Sequence, residues 1–146
     1  MQLDTGLKVE VVCLKNIINN FGQKAGKIWT TLNDNGPLSE DVLIKKTKLK
    51  SNDFHAGVGW LARENKICKY GIFYKLENTN LSNSIGENAG KVWRLLNSAG
   101  QVDISSIADI ANISINDAYS ALGWLAREDK IKTIGSSKEL KFKLKN

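Results

Sequence analysis

The chain repeats itself. Gly22 to Gly71 aligns without a gap on Gly86 to Gly135, always 64 positions apart, and about 20 of roughly 50 aligned positions are identical. Ala25-Gly26-Lys27-Ile28-Trp29 returns as Ala89-Gly90-Lys91-Val92-Trp93. Gly59-Trp60-Leu61-Ala62-Arg63-Glu64 returns as Gly123-Trp124-Leu125-Ala126-Arg127-Glu128, and Lys66-Ile67 as Lys130-Ile131. Two small units are therefore expected. The first spans residues 1–77, with an N-terminal extension over 1–20. A polar linker follows over 78–84, and the second unit spans 85–146. Units of this size bury little surface alone, so the two should share an interface.

The second copy gives the plainer reading. Ala89, Val92, Trp93 and Leu96 follow the i, i+3, i+4, i+7 spacing of an amphipathic helix, which Asn97 to Gly100 ends. A second helix is expected over Ile104 to Ala111, capped by Asp103. A third is expected over Ile115 to Glu128, with Ser114 as cap and Asp117 three residues on. The period then changes to two. Ile131 to Ile134, a turn, and Leu140 to Leu144 read as a β-hairpin. Three helices and a hairpin in that order predict a winged helix-turn-helix: mainly α with small β-hairpins, in two tandem copies.

The first copy predicts the same elements, with helices over Gly22 to Asn33, Ser39 to Thr47 and Asn52 to Glu64. Its wing is shorter, from Ile67 to Tyr70 and Ile72 to Leu76. Leu3 to Asn20 have no counterpart, and Val9 to Leu14 read equally as helix or strand.

A net charge of +6 favours an acidic partner such as nucleic acid without requiring one. No apolar run is long enough to cross a membrane, no signal peptide is apparent, and neither membrane nor cofactor is expected. Cys13 and Cys68 fit no metal or redox spacing, so free thiols in a reducing cytoplasm are expected. With a single histidine, His55, and no nucleophile matched to a base, neither a metal site nor an enzyme is expected.

The motif Gly-Trp-Leu-Ala-Arg-Glu-(Asn or Asp)-Lys-Ile, preceded by Ala-Gly-Lys-(Ile or Val)-Trp, resembles a family of small prokaryotic winged helix-turn-helix proteins of unassigned function. That resemblance implies single-domain relatives that pair as homodimers, and this chain as such a pair fused into one polypeptide.

The four tryptophans, Trp29, Trp60, Trp93 and Trp124, read as core residues joining helix one to helix three. On the other face of helix three, a glycine recurs inside the helix, Gly59 and Gly123, at a cost of about 1 kcal/mol relative to alanine. Something must approach the backbone there, either DNA or another helix, and the two third helices are candidates to meet each other. Arg63-Glu64 and Arg127-Glu128 read as structural ion pairs.

For DNA the signals divide. Lys45, Lys46, Lys48 and Lys50 cluster before the third helix of the first copy. The second copy carries its lysines on the wing instead. Neither third helix has a lysine or arginine before its closing arginine, and Asp53 and Asp117 would face a phosphate badly.

The leading expectation is a DNA-binding protein, transcriptional or chromatin-associated, contacting double-stranded DNA mostly through its backbone. The candidate contacts are Lys45, Lys46, Lys48, Lys50, Asn52 and His55, then Asn116, Tyr119 and Lys138. The competing expectation is an assembly adaptor that binds protein through Gly59, Arg63, Gly123 and Arg127. Self-association is open in either case.

Overall fold

Each repeat folds into three helices followed by a hairpin. The computed structural model describes residues 2–136 and 138–145, with side chains from residue 17 onward. In the first repeat, α1 (Gln2–Asn35) leads through β1 (Leu38–Ser39) to α2 (Glu40–Thr47) and α3 (Ser51–Arg63). The wing is β2 (Cys68–Tyr70) and β3 (Phe73–Lys75). The second repeat comprises α4 (Ser82–Ala99), α5 (Ile104–Ala111), α6 (Ile115–Arg127), β4 (Ile131–Ile134) and β5 (Lys141–Leu144). The Cys13 thiol, and Ser137 in the second wing turn, lie outside the described residues.

Caps fix the helix starts. Asp103 accepts from the Ser106 amide and Ser114 from the Asp117 amide, both at 3.0 Å, while Ser39 accepts from Val42. The helices α3 and α4 are different: Lys50 and Leu81 stand at their N-caps and make no side-chain cap bond. The helices α2 and α5 both end on left-handed residues, Lys48 (φ 58°) and Asn112 (φ 57°).

Three features lie beyond the sequence reading, the first of them a segment it left open between helix and strand. The backbone up to residue 20 is helical and continues into the first predicted helix as one element, α1. The strand β1 pairs with β3, giving a sheet ordered β1-β3-β2; in the second repeat its counterpart shrinks to a bridge between Val102 and Phe142. The helix α4 begins at Ser82, inside the expected linker. The rest of that stretch is tied to the first wing, where Asn80 bonds both the amide and the carbonyl of Lys69. No helix among the described residues is long and apolar enough to cross a membrane.

Two hydrophobic clusters form the core, one built mainly on each repeat, and each takes in buried residues of the other, Ala56 of α3 joining the second cluster. Phe21 of α1 belongs to the cluster of the second repeat, and Ile85 of α4 to that of the first.

Between the clusters α3 and α6 lie side by side and parallel. The Ser51 hydroxyl donates to Asn116 Oδ1 (3.0 Å) where both helices begin. Where both end, Arg63 pairs with Glu128 (3.0 Å) and Arg127 with Glu64 (2.9 Å). At the centre the backbones touch through the two glycines. A Cβ added at Gly123 would overlap the carbonyl oxygen of Ala56 and lie 2.7 Å from its carbonyl carbon; one at Gly59 would overlap Ser120 in the same way. The recurring glycine thus accommodates a helix, that of the other repeat. The ion pairs are half-exposed and worth at most about 1 kcal/mol each. Close packing at the glycines is the larger contribution to this interface.

Two expectations are corrected here. Gly59 and Gly123 are buried against the other repeat, and Arg63 and Arg127 are committed to its glutamates, so this face of helix three is not open to an external protein. The tryptophans are not simply core. Trp60 and Trp124 are half-buried beneath the arginine of the opposite repeat, at 5.9 and 5.8 Å. Trp29 and Trp93 remain 39% and 37% exposed.

Candidate nucleic-acid interface

The α3–α6 contact decides which surfaces can meet a ligand. Residues 54–62 of α3 and 118–126 of α6 are buried, apart from half-buried His55, Trp60, Tyr119 and Trp124. A recognition helix enters a major groove by offering side chains along one face. Here that face is occupied by the other repeat, leaving mainly the first turns accessible.

The structure brings four of the candidate residues to one corner of the first repeat. Lys45 and Lys46 lie in the last turn of α2, Lys48 on its left-handed cap and Lys50 at the start of α3, all exposed. Among the described residues, no ion pair reaches any of them. Lys46 and Lys48 also line a shallow depression of about 580 Å³ with Lys27, Thr30 and Thr31 of α1. Sequence reasoning missed Lys27 because it lies on a different helix; its only signal was an exposed position in the amphipathic pattern.

The other candidates are placed less favourably. Asn52 is half-buried, and its Oδ1 accepts from the Asp53 amide. Asn116 is exposed and accepts from Ser51 of the other repeat. Tyr119 and Lys138 share a different depression with Asp103 and Lys141.

His55 is half-buried, edge-on to Phe54. Burial lowers its pKa from the ordinary 6.5, and Lys69 adds to this against Glu40 and Asp117, which raise it. The folded state therefore holds a neutral imidazole where the unfolded chain would take a proton. Below pH 6.5 the unfolded state binds more protons, so stability should fall as pH drops from 6.5 towards the folded pKa. Urea midpoints measured across that window should fall in the parent chain and fall less in His55→Gln. Asp103, held below its usual 3.8 by hydrogen bonds to Ser106, acts in a separate and more acidic window.

The profile of the family described as Winged helix-turn-helix domain (DUF2582) matches residues 15–71 and again 77–144. The chain belongs to this family. An uncharacterized protein of Methanocaldococcus jannaschii, MJ1608, is 42% identical over 64 residues, covering 90% of that protein and 42% of this chain. That length equals the repeat spacing. The mRNA-binding domain of elongation factor SelB from E. coli, solved with SECIS RNA, aligns with 84% of this chain and 98% of its own. Its TM-score is 0.38 and its identity 16%, a likeness that bears on no ligand here. As a winged helix-turn-helix protein the chain has a fold that is typically non-enzymatic and in general serves nucleic-acid binding. In this family member the two copies close their third helices on each other.

Proposed function

We propose that this protein is a non-enzymatic DNA-binding protein, transcriptional or chromatin-associated, that grips duplex DNA by its phosphates through the lysine corner of the first repeat. The observation that carries this reading is where two of the lysines stand. Lys48 takes a left-handed backbone conformation, and Lys50 takes an N-cap. The second repeat uses Asn112 and Ser114 at the same two places; asparagine tolerates that backbone, and serine caps its helix. A lysine at an N-cap sets its charge against the positive end of the helix dipole, and the Asp53 amide donates to Asn52 Oδ1 in place of a capping hydroxyl. Together the two lysines cost about 1–2 kcal/mol that the other repeat avoids. Phosphate binding gives that cost a reason.

Exchanging them for the residues of the second repeat separates stability from binding. Lys48→Asn with Lys50→Ser should stabilise the chain by about 1–2 kcal/mol in urea. The same variant should weaken binding to random duplex DNA, with a salt dependence shallower by about 2 in log–log slope. Charge reversal at Lys45, Lys46, Lys48 and Lys50 should lower affinity about a hundredfold or more at low salt. An unchanged salt slope in both variants would remove duplex DNA as the partner.

A second reading, an assembly adaptor, is favoured by a different surface. The first wing exposes Tyr70, Ile72 and Phe73 together at its tip. It predicts weak DNA binding that is indifferent to both sets of lysine changes.

A further inference from the structure

The second wing carries an arrangement that a hairpin alone does not favour. In the β4–β5 register Lys132 lies directly opposite Lys143. One step further along, the Lys145 amide donates to the carbonyl of Lys130 at 2.9 Å, placing those two lysines opposite as well. Residues directly opposite share a face, and like charges there destabilise the strand pair. Lys130 pairs with Glu128, which Arg63 also holds, and Lys145 pairs with Asp129. Among the described residues, no ion pair reaches Lys132 or Lys143.

This face forms one wall of an open groove of about 1000 Å³, and α4 forms the other. Trp93 and Leu144 supply apolar surface, and Trp93 is over a third exposed although its helix packs on the core. The first repeat lacks the charge. There Cys68 occupies the position of Lys132 and is buried, and Lys75, opposite it, is held by Glu77 at 2.9 Å. Counting along the two registers, Lys130, Lys132, Lys143 and Lys145 stand where the first repeat has Lys66, Cys68, Lys75 and Glu77. The duplication has diverged here towards cation and away from cover.

We propose that this groove binds single-stranded nucleic acid, with phosphates along Lys132 and Lys143 and a base stacked on the Trp93 indole. A cationic groove beside an exposed aromatic plane is the chemistry that holds unpaired strands. A duplex keeps its bases stacked on one another and has no face to offer Trp93. An acidic peptide would satisfy the lysines but gain nothing from the indole plane. The site shares no residue with the lysine corner of the first repeat, so each stands or falls separately.

The test is a fluorescence-anisotropy titration of the full chain with labelled oligonucleotides of about ten nucleotides, ribose and deoxyribose versions of one sequence, beside the matching duplex and an oligoglutamate. Trp93→Ala should weaken single-strand binding about tenfold, and Trp93→Phe should recover most of it. Lys132→Glu with Lys143→Glu should weaken it about tenfold or more. Trp29→Ala, at the matching place in the first repeat, should leave it unchanged. Thermal melts of each variant establish that the fold is kept, and Trp93→Phe guards against an alanine that fails to fold. Any difference between the ribose and deoxyribose arms assigns the natural strand. Single-strand affinity within about twofold of the parent in Trp93→Ala overturns the proposal. So does an oligoglutamate that binds as tightly as the oligonucleotides, which would make the groove a dock for acidic protein.

Discussion

Gly123→Ala should destabilise the chain by about 3 kcal/mol or more, although it adds a single methyl group and improves helix propensity. The reason is the identity of the atom in the way. The new Cβ would meet the backbone carbonyl of Ala56, which cannot rotate aside as a side chain end can, so α3 and α6 would have to separate. Separation would open the contact along its length and strain the Arg63–Glu128 and Arg127–Glu64 pairs at its end. Gly59→Ala should act alike through Ser120. Gly26→Ala is the control, since nothing lies within 4 Å of a Cβ placed there. It should be neutral or stabilise by up to about 1 kcal/mol. Urea denaturation of the three variants checks the ranking, and equal midpoints would mean that the two helices are not in the contact described.

This contact changes what the winged helix can do. The fold ordinarily offers its third helix to a groove, and the notch in that helix is what lets the two copies pack. Each unit thus gives up its reading surface for stability, and what remains outside is charge on the corner of one repeat and on the wing of the other. Under the proposed function such a chain would hold a backbone rather than read bases, because no arginine side chain is left free along either third helix to make paired bonds to a guanine edge. The asymmetry between repeats follows the same logic. Lysines replace Asn112 and Ser114 in the first copy, whereas in the second they replace Cys68 and Glu77.

The repeat made most of the fold legible. Element order, the hairpins and the caps at Asp103 and Ser114 follow from periodicity and capping chemistry that act over a few residues. The glycine notch was also legible, because a mid-helix glycine present in both copies needs an external cause. What escaped was pairing at a distance. Arg63 beside Glu64 looks like a local pair, but consecutive helix residues point apart, and each finds its partner 65 or 63 positions away. Trp93 fits the apolar period of α4 as well as Leu96 does, and periodicity alone does not distinguish the centre of an apolar stripe from its edge. Residues 2–20 had no copy to be compared with, so the length of α1 could not be read. The strand β1, two residues long, is set by its pairing with β3 and not by any local pattern.

The length of α1 matters for cooperativity, and Phe21→Ala should reveal it by costing about 3–5 kcal/mol. Phe21 is 3% exposed, and although it belongs to α1 of the first repeat it packs in the cluster of the second repeat, beside partly buried Ile17 and Ile18. Removing its ring leaves a cavity that neighbours on two repeats would have to close, and the parallel α3–α6 contact restricts their movement. A loss of this size is a large share of the roughly 5–15 kcal/mol that stabilises most domains. Because Ile85 reciprocates in the first cluster, neither core is complete without the other repeat. Unfolding should therefore remain a single transition, shifted as a whole, with amide exchange in α6 and β4 accelerated as much as in α3. A loss below about 1 kcal/mol, or a melt that divides so that only the first repeat shifts, would show that the exchanged residues do not couple the two units.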